Sequence, residues 1–386
     1  MPTLLLSVPA PVKICQDGYH LDTKFVAGMQ AHVADWGSDV RCVMWDSGDS
    51  IPFGQIYRAS ELNFDLIVLD RNAAMPPEVL EGVSIALVSA DMPGFGAICR
   101  SIAAARIPYV VGAEYTLDTR LRTVWLERHI SFLRKVRRSL WLLRNERRIR
   151  TGIKSAASAQ FNGYPAFDSY AELVIGPHIY LDNRMSAEMM ASPAEMVTRS
   201  ERLLSGRALR LIHSGRLEPM KGSQDLLQVM RELSALGVRA TLDIYGTGSL
   251  EAQIRSALGE FDGAVRLHAP VDFRTELVPV SRTQADIFLS CHRQSDPSCS
   301  YLEAMGCGLA IAGYRNRMWE QLSKEAQCGV AVPLGSTRSL AKAIARWDRH
   351  RQAIVDSAQA GLSFAMTHDF EREFAGRMAH LRSLVV

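Results

Sequence analysis

The chain has 386 residues, 47% of them hydrophobic and 22% charged, with a formal net charge of +3. That length exceeds what one core usually organises, so two domains are expected, and the balance of residue types excludes a disordered chain. A net charge this small gives no reason to expect a nucleic-acid partner. No stretch reaches the roughly 18 apolar residues of a membrane span.

The N-terminal run TLLLSV, with no basic lead, reads as a first strand rather than a signal peptide. Short apolar runs then alternate with helical patterns: LDTKFVAGMQAHVADWG, VRCVMW, DLIVLD, SIALVSA, a helix from about Gly94 to Ala105, and IPYVVG. This alternation predicts a parallel sheet covered on both faces. The segment from Thr123, TVWLERHISFLRKVRRSLWLLRNERRIR, is helical and basic, and Arg120 to Lys154 holds twelve Lys or Arg against Glu127 and Glu146. Such a helix either lies on an anionic lipid surface through Arg134, Lys135, Arg137 and Arg138, or packs its apolar stripe on the core. AQFNGYPAFDSY reads as a structural loop with a turn at Asn162 and Gly163.

Residues from about 179 to 206 lack strand alternation and read as a linker. The alternation restarts at ALRLIHSG and runs through a helix at about 221–236, then ATLDIYG, AVRLHA, ADIFLS, LEAMG, LAIAGY and GVAVPL, followed by helical segments at about 337–360 and 363–386. The seven cysteines, at 15, 42, 99, 291, 299, 307 and 328, are odd in number and form no CxxC pair, which implies a reduced, cytosolic chain.

Three stretches of the second half carry chemistry. In GRLEPMKG, Gly215 permits a tight turn, and Arg216 and Lys221 put two cations where a helix begins. A phosphate or diphosphate fits that site; the plainer reading is a solvated pair at a strand-to-helix turn. YGTG places Gly246 at a second strand end, which alone is only a tight turn. In SCHRQSDPSCSYLEAMGCG, Pro297 fits the first turn of a helix with Asp296 as N-cap, and the amides of Ser298, Cys299 and Ser300 point at an anion. Asp296 and Glu303 would then share a face about 10 Å apart, too far to share one proton. No tetrahedral set can be drawn from Cys291, His292, Cys299 and Cys307, so no metal is expected.

GRLEPMKG, YGTG, VRLHAPV and YLEAMGCGLAIAGY, in that order, resemble the nucleotide-sugar-binding domain of the family 4 (group 1) glycosyltransferases, over about Leu209 to Pro333. The resemblance implies an α/β GT-B fold: two facing Rossmann-like domains with a deep interdomain cleft. The expected division is an N-terminal acceptor-binding domain, 1–180, the linker 181–206, a nucleotide-sugar-binding domain, 207–362, and a helix crossing back, 363–386. It further implies that Arg216 and Lys221 hold the donor diphosphate, that Glu303 bonds the ribose, and that the loop His268, Ala269, Pro270 and Val271 lies near the base. The family's first Glu falls on Ser295 here, leaving Asp296 either to reach the sugar or to cap the helix. Gly18 stands where the family has a glycine loop, and Glu114 and Asp91 stand where it often places a histidine.

The expected function is transfer of a sugar, with retention and without metal or cofactor, from a nucleotide diphosphate sugar to a glycan or lipid-linked acceptor. Polysaccharide or cell-envelope assembly at the inner face of the cytoplasmic membrane is the setting the family implies. A nucleotide-sugar epimerase or hydrolase, or a nucleotide-sugar-binding protein of weak activity, is the alternative.

Overall fold

The computed structural model describes residues 2–48, 51, 54–127, 130–295, 297 and 299–385. The chain divides into two compact units: Met1–Leu117 with Ser139–Tyr180 and Phe374–Val386, and Asp118–Arg138 with Leu181–Glu373.

The strands of the first unit are β1 (Thr3–Ser7), β2 (Val12–Cys15), β3 (Gly18–Asp22), β4 (Val40–Trp45), β5 (Gly54–Tyr57), β6 (Asp65–Leu69), β7 (Val83–Ser89), β8 (Tyr109–Ala113), β9 (Ser158–Asn162) and β10 (His178–Tyr180). Seven of them form one sheet in the order β10-β9-β8-β7-β1-β4-β6, with every neighbouring pair parallel. The central strand explains its own sequence: covered on both faces, it buries Leu4, Leu5 and Leu6 completely, which is why it reads as an unbroken apolar run. Each such side chain contributes about 1.5–3 kcal/mol of burial.

Two features depart from the expectation. The strands β2, β3 and β5 form a small antiparallel sheet, and the segment read as a loop around Asn162 contains β9, buried along its whole length. β9 escapes a reading of apolar runs because its Ser158, Gln160 and Asn162 are polar. The core accepts Ser158 and Gln160 because both are bonded: Ser158 Oγ donates to the carbonyl of Gly176 at 2.7 Å, and Gln160 Nε2 to that of Arg377 at 2.7 Å.

The second unit holds β11 (Leu209–Ser214), β12 (Ala240–Tyr245), β13 (Val265–His268), β14 (Ile287–Ser290), β15 (Ala310–Tyr314) and β16 (Val330–Val332). They form a parallel sheet in the order β13-β12-β11-β14-β15-β16. The sheet order reverses between β11 and β14, and the carboxyl ends of strands beside such a reversal are where α/β sheets bind ligands.

Residues 181–206 lie inside this unit and carry a helix, Pro193–Leu204. Ser192 caps it by accepting from the Glu195 amide, while the Glu195 carboxylate accepts from the Ser192 amide at 2.7 Å. Helical patterns at the C-terminus resolve into Thr337–Arg349, Gln352–Ala365 and Phe370–Arg382.

Candidate functional site

Four strand ends build the site. Gly215 follows β11 and Gly246 follows β12, and the two turns touch: a Cβ on Gly246 would lie 2.0 Å from the Gly215 carbonyl oxygen. Gly246 has φ +146°, a region that favours glycine. The turns are tied further by the Leu217 amide donating to Thr247 O at 2.9 Å, and by the Ser249 amide and hydroxyl donating to the Glu218 carboxylate at 3.0 and 2.6 Å.

Arg216 is exposed beside this pair of turns, and Lys221 ends the single turn Pro219–Lys221. Gly222 follows with φ +68°, and a Cβ there would sit 1.7 Å from the Cys291 carbonyl oxygen. Glycine at 222 thus lets the Lys221 turn lie directly on the loop after β14. That loop is fixed by Arg293, whose guanidinium grips the Asp225 carboxylate at 2.7–3.1 Å, with Tyr314 OH donating to the same carboxylate at 3.0 Å.

Beneath the turn lie two buried imidazoles. His213 bonds through Nδ1 to Leu289 O at 3.0 Å, and burial, with a further push from the Lys221 charge, lowers its pKa to about 4. Burial likewise drives His292 well below the usual histidine range, again with Lys221 adding to the effect. Both rings therefore stay neutral at pH 7, and the positive charge here belongs to Lys221.

The helix Cys299–Gly306 starts at the carboxyl end of β14. Asp296 and Ser298 lie outside the described residues. Cys299 and Ser300 are half-buried at the helix start, and Cys299 Sγ donates to Asp182 Oδ2 at 3.6 Å. The far end of the helix is held by a residue the sequence reading passed over. Buried Arg199 donates to the carbonyls of Cys307 and Gly308, which lie just past the last helical turn, and to Ala285 O at 3.0 Å.

Glu303, expected at the ribose, is buried with only 8% of its side chain exposed, and accepts two bonds from Arg184, Nε to Oε1 at 2.7 Å and NH2 to Oε2 at 3.0 Å. The same guanidinium lies 3.8 Å from the centre of the Phe273 ring. Arg184 belongs to the segment read as a linker, and its only sequence signal is the polar run Asp182, Asn183, Arg184. Ser295, at the family's first glutamate position, is buried, and its Oγ accepts from the Arg317 amide at 3.4 Å.

His268 stacks on Tyr245 with ring centres 4.3 Å apart and is bonded to Asp243 at 2.7 Å; Ala269 and Pro270 are exposed and Val271 half-buried. These residues sit at the carboxyl ends of β12 and β13, beside the Gly246 turn.

Three of the candidates, Gly18, Asp91 and Glu114, belong to the first unit. Asp91 and Glu114 are half-buried at the carboxyl ends of the adjacent parallel strands β7 and β8. Gly18 begins β3 in a hairpin rather than following β1, and a Cβ there would meet the Tyr57 carbonyl oxygen at 2.2 Å. On the basic helix Phe132–Lys154, Arg134 and Arg137 are exposed, while Lys135 donates to Trp125 O at 2.9 Å and Arg138 pairs with Glu127 at 2.8 Å. Among the described residues no group of three or more His, Cys, Asp or Glu is placed to hold a metal ion. No helix of the described residues is long and apolar enough to cross a membrane.

Residues 208–348, which contain all four strand ends, match the family described as Glycosyl transferases group 1. Over these residues the chain is similar to the group 1 glycosyltransferases. Its fold is that of the GT-B glycosyltransferases. Solved structures similar to it include Anabaena HepE in complex with UDP-glucose, at 12% identity and TM-score 0.64 over 99% of each chain. Sucrose-phosphate synthase from Thermosynechococcus elongatus is similar at 13% identity and TM-score 0.66, over 99% of this chain and 98% of that one. WaaG, a glycosyltransferase involved in lipopolysaccharide biosynthesis, is similar at 14% identity and TM-score 0.63, over 98% and 99%. No curated protein matches the sequence.

Proposed function

We propose that this chain transfers a hexosyl group from a nucleotide diphosphate sugar to an acceptor hydroxyl, with retention and without a metal, on a lipid-linked glycan of the cell envelope. The observation that carries the donor half is the meeting of the Gly215–Lys221 turn, the Gly246 turn and the loop after β14, which leads into the helix Cys299–Gly306, at the carboxyl ends of β11, β12 and β14. As the bond from sugar to diphosphate breaks, negative charge gathers on the leaving phosphate. Arg216, Lys221 and the amides at Cys299 and Ser300 neutralise it there. Glu303 bonds the ribose, the loop His268–Val271 faces the base, Asp296 reaches the sugar, and Asp91 or Glu114 orients the acceptor hydroxyl.

The acceptor half rests on the basic helix. Phe132, Leu133, Leu140 and Trp141 are between 54% and 79% exposed, and Arg134 and Arg137 stand exposed among them. An apolar stripe left uncovered beside cations supports contact with an anionic lipid surface. The enzyme then works as a cytoplasmic, peripheral membrane protein.

The test is a thermal-shift panel of uridine, guanosine and adenosine diphosphate sugars, beginning with UDP-glucose. A true donor at about 100 times its dissociation constant adds about 2.7 kcal/mol of stability. No shift with any of them overturns the reading. The buried Ser295 favours one second reading, a protein that binds the donor but transfers poorly; a shift without product from any acceptor extract selects it.

A further inference from the structure

In the first unit, a cavity of about 560 Å³ opens at the carboxyl ends of β1, β4, β6 and β7, far in sequence from the donor motifs. It lies where the sheet order reverses about β1, with β4 and β6 on one side and β7 on the other. In open α/β sheets that is where a ligand crevice forms, and the volume is that of a small-molecule pocket.

Its chemistry is unlike that of a sugar site, because several of the polar groups of its wall are already engaged. The Trp45 indole N–H donates to Ala73 O at 2.8 Å, and the Asp46 amide donates to Leu69 O at 2.9 Å. The Asp46 carboxylate accepts from the Gly48 amide at 3.0 Å, and Ser47 donates through both its amide and its hydroxyl to Val12 O at 2.8 Å. Most of what remains to meet a guest is the apolar surface of Pro9, Pro11, Trp45, Met75, Met92 and Ile98. A hydroxyl-rich ring entering here loses water and finds few partners, whereas a hydrocarbon loses nothing. Arg71 and Asn72, exposed at the rim, are the polar groups placed to meet the far end of such a guest.

We propose that this cavity holds the apolar chain of an amphiphilic ligand, a short prenyl or alkyl chain uncharged along its buried length, with its polar end beside Arg71 and Asn72. The inference rests on the reading of the chain as a transferase to a lipid-linked acceptor, and names the part of that acceptor held by the first unit.

Calorimetric titration of the full chain with farnesol, farnesyl phosphate and glucose tests it, with UDP titrated in parallel. Ala97 is exposed on the helix Phe95–Ala104 and lines the cavity, so Ala97→Trp fills the space without entering the core. Both prenyl probes bind the wild type, glucose does not, and Ala97→Trp weakens both by about tenfold or more. Arg71→Ala weakens farnesyl phosphate more than farnesol, and neither variant changes UDP binding. Should Ala97→Trp fail to fold, Ser101→Phe on the same helix fills the same space. Failure of both prenyl probes to bind, binding of glucose in their place, or full prenyl affinity in the filled variant overturns the proposal. UDP binding without prenyl binding removes the cavity ligand and leaves the donor reading standing; the reverse removes the donor reading.

Discussion

Replacing Arg184 with alanine tests how the proposed donor site is held in shape. The substitution deletes two charge-assisted bonds, at 2.7 and 3.0 Å, and leaves the Glu303 carboxylate buried without its guanidinium. Breaking a fully buried pair from one side costs about 3–5 kcal/mol. Here 42% of the Arg184 side chain is exposed, so water replaces part of what is lost and about 2 kcal/mol is expected. For a unit of this size that lowers Tm by about 4–8 °C. Pairing Arg184→Ala with Glu303→Gln should give a double variant less destabilised than the two single effects summed, because the second change removes the charge stranded by the first. UDP affinity falls by about tenfold, since a carboxylate free to rotate no longer meets the ribose in one geometry. With 2′-deoxy-UDP as ligand the loss shrinks. A Tm within about 1 °C of wild type, together with unchanged affinity for UDP, refutes the reasoning.

Gly246→Ala drives a methyl into the Gly215 carbonyl oxygen, so the two turns separate; UDP binding measured by calorimetry is lost and Tm falls. His213 gives a pH dependence whose sign is fixed by its lowered pKa. Between pH 6.5 and about 4 the unfolded imidazole takes a proton that the folded one refuses, so its contribution is complete above 6.5 and declines with acid, by about 3 kcal/mol at the limit. Urea unfolding across that range shows a shallower slope in His213→Gln, and an unchanged slope refutes the assignment. In flotation with anionic liposomes at low salt the wild type rises with the lipid, and Arg134→Ala with Arg137→Ala reduces the lipid-bound partition by about tenfold or more. Failure of the wild type to float removes the membrane contact.

Much of the second unit was legible because what it needs is local. A strand buried on both faces tends to be apolar throughout, and a turn with φ near +145° favours glycine, so β11, β12 and β14 and the turns at Gly215 and Gly246 are written in residue type and order. The basic character of the helix Phe132–Lys154 was equally plain, since charge needs no partner to be seen. The polar strand β9 was not legible, because Gln160 reads the same on a loop as in a core until the partner that satisfies it, Arg377, is known.

The same reason separates what sequence and tertiary structure each decided about the site. Sequence alone put a glycine turn with two cations, Arg216 and Lys221, after β11, and Glu303 on the helix that follows β14. Only the fold decided that Glu303 is gripped by Arg184, 119 residues away, that Arg199 holds the far end of that helix, and that Ser295 turns inward. A charged side chain in a sequence is a donor or acceptor without a direction. Burial and the position of a distant segment supply the direction, and with it the difference between a solvated arginine in a linker and one that fixes a buried carboxylate.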